Sequence, residues 1–237
     1  ALPNGLICLK GGELEQETDG DLWVSYSVNK EDMWISRIPV PVEINASAHA
    51  DDDFSKNKSI AELTDWNIYS PVWAPVSLED QWLKLQDKDP FDYAKVERKI
   101  PASKELKVSF DLKAGQNNKG TLQIEFLDEN GIACSRIELT DDGIFRLKGG
   151  SRFANMMKYE AGKVYHVEAV LSTVDRNIQV YVDGKRVGLR MFYAPVAAVE
   201  RIVFRTGVPR TFPTVDTPAD QTYDLPNAGA QDPLAEY

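Results

Sequence analysis

Cysteine and histidine are scarce in this chain. Its 237 residues contain two cysteines, Cys8 and Cys134, and two histidines, His49 and His166. Two cysteines in unrelated segments make no disulfide framework, so both are read as unpaired thiols. Neither histidine belongs to a cluster with the ligand spacing of a zinc site. No Gly-rich phosphate loop, nucleophile elbow or HExxH motif occurs. Excess positive charge is missing too. A formal net charge of −10 repels phosphate backbones, so nucleic acid is excluded as a partner. No run reaches the roughly 18 apolar residues that a membrane helix needs, so no membrane span is expected. Residues 1–10 lack the basic start and long apolar run of a signal peptide. The abrupt opening and the polar, Pro-rich close read as those of a mature or trimmed fragment. Sustained helical periodicity is missing as well. The best helical stretch, Ala154 to Tyr159, is one or two turns at most.

What the chain has instead is alternation. Leu22, Val24, Tyr26 and Val28 alternate with Trp23, Ser25 and Ser27, and after a turn Met33, Ile35 and Arg37 alternate with Trp34, Ser36 and Ile38. This predicts a β-hairpin over residues 20–41, ended by Pro39 and Pro41 because proline cannot donate to a ladder. Residues 43–62 are small, polar and acidic, with Asp51, Asp52 and Asp53 inside, and read as a linker. Beyond them come many short alternating segments. Ala94, Val96, Arg98 and Ile100 share one face; so do Leu106, Val108, Phe110 and Leu112; so do Leu122, Ile124 and Phe126; so do Tyr165, Val167, Ala169 and Leu171. Asp128-Glu-Asn-Gly131, Asp141-Asp-Gly143 and Asp183-Gly-Lys185 supply turns. Evenly spaced short strands with Gly, Asp and Asn turns mean an all-β, antiparallel jelly-roll sandwich. The expected organisation is a hairpin segment over 1–42, a linker over 43–62, the jelly roll over 63–210, and a Pro-rich extended strap over 211–237.

Two segments resemble known families. Gly162-Lys-Val-Tyr-His-Val-Glu-Ala-Val170, followed by Val174-Asp-Arg-Asn-Ile-Gln-Val-Tyr-Val-Asp-Gly-Lys185, resembles the concanavalin and laminin-G-like superfamily, over about half the chain from Tyr93 to Gly207. Asp21-Leu-Trp-Val-Ser-Tyr-Ser-Val-Asn-Lys-Glu-Asp-Met-Trp-Ile-Ser-Arg-Ile-Pro39 is similar to the closing strands of a sialidase-like, BNR-repeat propeller, as in glycan-degrading proteins of gut Bacteroidetes. In such proteins a jelly-roll domain follows the propeller, and the order here agrees. The resemblance implies a secreted, periplasmic or cell-surface protein of polysaccharide utilisation. A blade edge alone cannot form a propeller active site, which several blades assemble at the axis.

Candidate chemistry is thin. Glycoside hydrolysis needs two facing carboxyls about 5–10 Å apart. Glu125 with Asp128 and Glu129 is the nearest imitation, but the last two lie in a turn, where acids are ordinary. No catalytic residue is assigned. Trp66, Tyr69, Trp73 and Trp82 fall in a proline-broken region. They are the candidate carbohydrate platform, since sugar rings stack on exposed aromatics. Arg98 and Arg152 are the candidate partners for hydroxyls or a carboxylate. The laminin-G resemblance implies a calcium ion, for which Asp87, Asp89 and Asp92 are the candidate ligands; the plainer reading is solvated turn charge. The expected function is an accessory carbohydrate-binding or structural module of a secreted glycan-degrading protein, not catalytic on its own. Its partner is a glycan or another domain of the same protein. The alternative is part of a glycoside hydrolase or polysaccharide lyase whose active site lies outside this chain or at its edge.

Overall fold

The computed structural model describes the backbone of residues 20–28, 32–40, 235 and 236, and the full residues 50–88, 93–207 and 237. The chain divides into two units, residues 1–45 and 46–237. In the first, strands β1 (Gly20–Val28) and β2 (Asp32–Val40) form an antiparallel pair in register from Gly20 opposite Val40 to Val28 opposite Asp32. The hairpin expected from the alternation is present, and β2 ends one residue past Pro39.

Among the described residues of the second unit the regular structure is strand apart from two short 3-10 segments: β3 (Trp66–Tyr69), β4 (Val76–Glu79), β5 (Trp82–Asp87), β6 (Lys95–Ser103), β7 (Glu105–Lys113), β8 (Leu122–Leu127), β9 (Ala133–Leu139), β10 (Ile144–Gly149), β11 (Arg152–Lys158), β12 (Val164–Ser172), β13 (Asn177–Val182), β14 (Lys185–Met191), β15 (Val199–Thr206) and β16 (Ala235–Glu236). They make a seven-stranded sheet in the order β11-β10-β9-β8-β15-β6-β3, a four-stranded sheet in the order β14-β13-β12-β7, and a small sheet β16-β5-β4. Every pairing is antiparallel.

The two larger sheets pack face to face because each has one apolar side. On the seven-stranded sheet one cross-strand row reads Ile68, Val96, Phe204, Ile124, Ile137, Leu147, Ala154, apolar from end to end. Val167, Ala169 and Leu171 of β12 and Val180 and Ile178 of β13 face it, fully buried. Phe110 meets Phe204 across the gap at 5.1 Å, and Tyr165 meets Phe145 at 5.7 Å, both edge to face. The edge strands close tightly at Gly188, where a Cβ would lie 2.6 Å from Met156 Sδ. At the β13–β14 hairpin both turn residues take positive φ, Asp183 at 50° and Gly184 at 75°, as a two-residue turn requires.

Two segments differ from the sequence reading, and the end of the extended strap gains a pairing. Ala154 to Tyr159 is not helical: it lies mostly in β11, where pairing with β10 satisfies its backbone. The segment read as a linker belongs, from residue 46 on, to the larger unit. It forms two short 3-10 turns, Phe54–Lys56 and Ile60–Glu62, with Asp53 capping the first through Ser55 N at 3.0 Å. Ile60 packs against the core, so short polar stretches here carry apolar anchors. The strap ends as a strand. Ala235 and Glu236 pair with β5, and Tyr237 exchanges backbone hydrogen bonds with Leu85 at 2.8 and 2.6 Å while its ring joins the core. Residues 208–234 lie outside the described residues.

Cys134 is a free, buried thiol; Cys8 lies outside the described residues. Burial pushes the Cys134 thiol from its ordinary 9.0 up to about 12. Burial likewise pushes the Tyr159 phenol up to about 12, and those of Tyr193 and Tyr237 upward. These groups are held neutral in the folded chain and ionise earlier when it unfolds. Their stabilising contribution is whole below the unfolded values and is lost as pH rises toward the folded ones. Urea unfolding is therefore expected to show stability falling from about pH 9, more steeply once unfolded phenols ionise above about pH 10. A flat profile between those values and pH 11 would contradict the burial of these groups.

Candidate functional site

The outward side of the seven-stranded sheet is built from the residues that alternate with its core row. Two cross-strand rows span all seven strands. One reads Tyr69, Lys95, Arg205, Gln123, Glu138, Arg146, Asn155; the other reads Asn67, Glu97, Val203, Glu125, Arg136, Lys148, Phe153. These rows hold five cations and three carboxylates, a local excess of positive charge on an acidic chain.

Each carboxylate is held by cations. Arg136 donates to Glu125 from Nε at 2.8 Å and from Nη2 at 2.5 Å. Glu138 accepts from Gln123 at 2.5 Å and from Arg146 Nε. Glu97 meets Lys95 at 2.8 Å and Arg201 at 3.4 Å. Burial alone would raise Glu97, but these two cations hold its carboxyl below the ordinary value. The face is dry at its centre, with Gln123 fully buried and Glu125 and Glu138 nearly so. It opens toward β10 and β11, where Arg146, Lys148 and Phe153 are half-buried and Asn155 is exposed.

Aromatic rings bound the face at both ends. At one end Tyr69 stacks with Tyr93 at 5.1 Å, and the Arg205 guanidinium lies 4.1 Å from the Tyr93 ring centre. At the other, Tyr193 comes from the segment after β14, tied by its N–H to the carbonyl of Cys134 at 3.0 Å. Its ring takes Lys148 at 4.7 Å and Arg136 at 5.8 Å, while Phe153 takes Arg146 at 4.4 Å and Lys148 at 5.5 Å. The Gln123 Oε1 and the Tyr193 hydroxyl are buried with no hydrogen-bond partner among the described residues.

The residues singled out from sequence scatter. Trp66 lies on the inward side, against Phe54 at 5.8 Å and Phe204 at 6.5 Å. Arg98 is turned inward as well. Its guanidinium is buried and engaged by Asp52 at 2.9 Å and Asp65 at 3.4 Å, so it is a structural ion pair in place of a ligand group. Tyr69 is on the polar face. Trp82 is half-buried on β5. Trp73 is 63% exposed in the β3–β4 loop beside Val72, a ring open to solvent. Arg152 is exposed at the start of β11. Asp87 is buried and accepts from the Thr206 hydroxyl at 3.0 Å; Asp89 and Asp92 lie outside the described residues. Among the described residues no group of three His, Cys, Asp or Glu is placed to hold a metal ion. His166 is exposed and bonds Asp111 at 2.7 Å; His49 lies outside the described residues.

This polar face carries a signal of its own in the sequence. Gln123/Glu125, Arg136/Glu138 and Arg146/Lys148 are the polar partners of apolar alternations, with both charge signs opposed on neighbouring strands.

A two-sheet antiparallel sandwich with one broad polar face, flanked by rings, defines a β-sandwich module of the carbohydrate-binding class. Residues 66–221 match the family described as "Sialidase-like, CBM domain", and the chain belongs to that family. A solved structure titled "Sialidase" is 89% identical with a TM-score of 0.80, over 92% of this chain and 20% of that one. The chain thus spans about a fifth of that protein. The apo Crh5 transglycosylase is 12% identical with a TM-score of 0.53, covering 81% of this chain and 82% of that one. Its complex with NAG is 11% identical with the same TM-score, covering 81% of each. Likeness at that level shows a shared fold. Among curated proteins none matches the chain.

Proposed function

We propose that this chain is the accessory glycan-binding module of a larger, secreted glycan-degrading protein, and that the glycan lies on the polar face of the seven-stranded sheet near β9–β11. The observation that carries this reading is the pair of charged and polar rows running from β8 to β11, with the Phe153 and Tyr193 rings at their open end, on a chain of the sialidase-like carbohydrate-binding family. Sugar hydroxyls meet the Arg146 and Asn155 groups at the open end, and sugar faces meet Phe153 and Tyr193. The pairing of each carboxylate on this face with a cation supports binding over hydrolysis, which needs one acid held protonated. The blade-like hairpin over residues 21–39 supports a BNR-repeat propeller preceding the module, and with it a polysaccharide-utilisation protein of the Bacteroidetes.

The test is glycan-array and calorimetric binding by the 237-residue chain and its variants. Arg146→Ala, which removes a charged donor at the open end of the face, is expected to weaken binding about tenfold or more. Trp73→Ala in the β3–β4 loop, and Lys107→Ala on the four-stranded sheet, are expected to stay within about twofold, below the weight of one net hydrogen bond. Loss of binding in Trp73→Ala with Arg146→Ala unaffected would move the site to the loop and overturn the assignment to the sheet.

A further inference from the structure

The cations of the β9–β11 end are not equivalent. Arg136 is committed to Glu125 by two hydrogen bonds, and Arg146 to Glu138. Lys148, beside Arg136 in the same cross-strand row, makes no ion pair among the described residues. Its ammonium instead sits by two ring faces, 4.7 Å from the Tyr193 centre and 5.5 Å from that of Phe153. Rings attract a cation without neutralising it. The residual positive charge of this end therefore rests on Lys148, half-buried beside another cation. Burial and the neighbouring Arg136 push its ammonium below the ordinary lysine value. An anion placed there relieves the repulsion and gains a charge-assisted hydrogen bond.

Resting on the glycan-binding reading above, we propose that Lys148, walled by Phe153 and Tyr193, is the recognition point for the carboxylate of an acidic sugar. Lys148 selects the charge, and the rings hold the apolar face of the sugar that carries it. Two sources of such a carboxylate are uronic acids and sialic acids, and the same contact serves either.

The experiment measures binding of matched probes by calorimetry: tri-galacturonate against its methyl ester, and sialyllactose against lactose. In the wild-type chain the acidic member of at least one pair is expected to bind about tenfold more tightly than its neutral partner. The pair showing the preference identifies the source. In Lys148→Met the ratio is expected to collapse to within about twofold, whereas Lys148→Arg, which keeps the charge, is expected to retain most of it. The Lys148→Met melting temperature is expected to equal or exceed that of the wild type, because a desolvated cation is replaced by an apolar side chain of similar length. Equal binding of acidic and neutral probes would overturn this inference and leave the glycan reading standing. So would a preference that survives in Lys148→Met. Absence of binding to all four probes and to the glycan array would overturn both.

Discussion

Replacing Phe145 with alanine is expected to remove about 3–5 kcal/mol of folding free energy, the largest single loss among the described core side chains. The ring is fully buried on β10, in the middle of the sandwich. Tyr159 approaches it edge-on at 5.5 Å and Tyr165 at 5.7 Å. Each such contact adds roughly 0.5–1.5 kcal/mol beyond area burial. Collapse around a vacancy would offset part of the loss, but both neighbours are tethered. The Tyr159 hydroxyl donates to the Thr140 carbonyl at 2.7 Å, and the Tyr165 hydroxyl accepts from Glu160 N at 2.9 Å. Filling the space would break those bonds. Equilibrium urea denaturation reads the effect as a lowered midpoint at unchanged slope. A loss under about 1 kcal/mol would mean that the rings are free to close the gap, contrary to their tethering.

Much of the fold is legible in the sequence because a half-buried strand writes its own signature. Leu122, Ile124 and Phe126 declare one face of β8 and Gln123 and Glu125 the other, from neighbours in sequence alone. Strand order is different. β8 pairs with β15, and β15 with β6, across gaps of about 75 to 110 residues. No local pattern states that Gln123 will lie between Arg205 and Glu138. The candidate site is a pair of cross-strand rows and exists only once that order is fixed. Aromatic residues drew attention first because a tryptophan is conspicuous alone, while Lys148 acquires meaning only beside Arg136, Phe153 and Tyr193. The same holds for Arg98. Its alternation with Val96 and Ile100 already placed it on the inward face, yet an inward arginine needs a partner, and Asp52 sits in the acidic stretch that composition marked as a linker.

The site also explains how an acidic chain can hold an acidic sugar. The net charge of −10 repels anions at long range, but salt screens that field within about 8 Å at physiological ionic strength. At short range the rows decide. Each carboxylate there is paired, so what a ligand meets at the open end is a cation backed by rings.

Arg98→Ala is expected to cost roughly 2–4 kcal/mol of stability and to leave glycan binding at the wild-type level. The guanidinium is almost wholly buried. It donates to Asp52 from Nε at 2.9 Å and, through Nη1, to the carbonyls of Lys99 at 3.2 Å and Asp65 at 3.4 Å. It also pairs with the Asp65 carboxylate at 3.4 Å. Removing one partner of a buried pair leaves the other charge unbalanced, which is the expensive half of such interactions. Asp52 and Asp65 are partly exposed, at 28% and 39%, so water recovers some of the loss and the cost falls below that of a fully buried pair. The interaction also ties residues 50–65 to β6, so local opening of that segment should precede global unfolding in the variant. Hydrogen exchange of residues 54–66 and thermal unfolding measure the two effects, and the glycan array measures the third. Arg98→Lys keeps the charge but not the planar fork that reaches both acids and both carbonyls, and is expected to recover less than half of the stability. A variant that stays fully stable and loses glycan binding would return Arg98 to the ligand surface and invalidate its assignment as a structural ion pair.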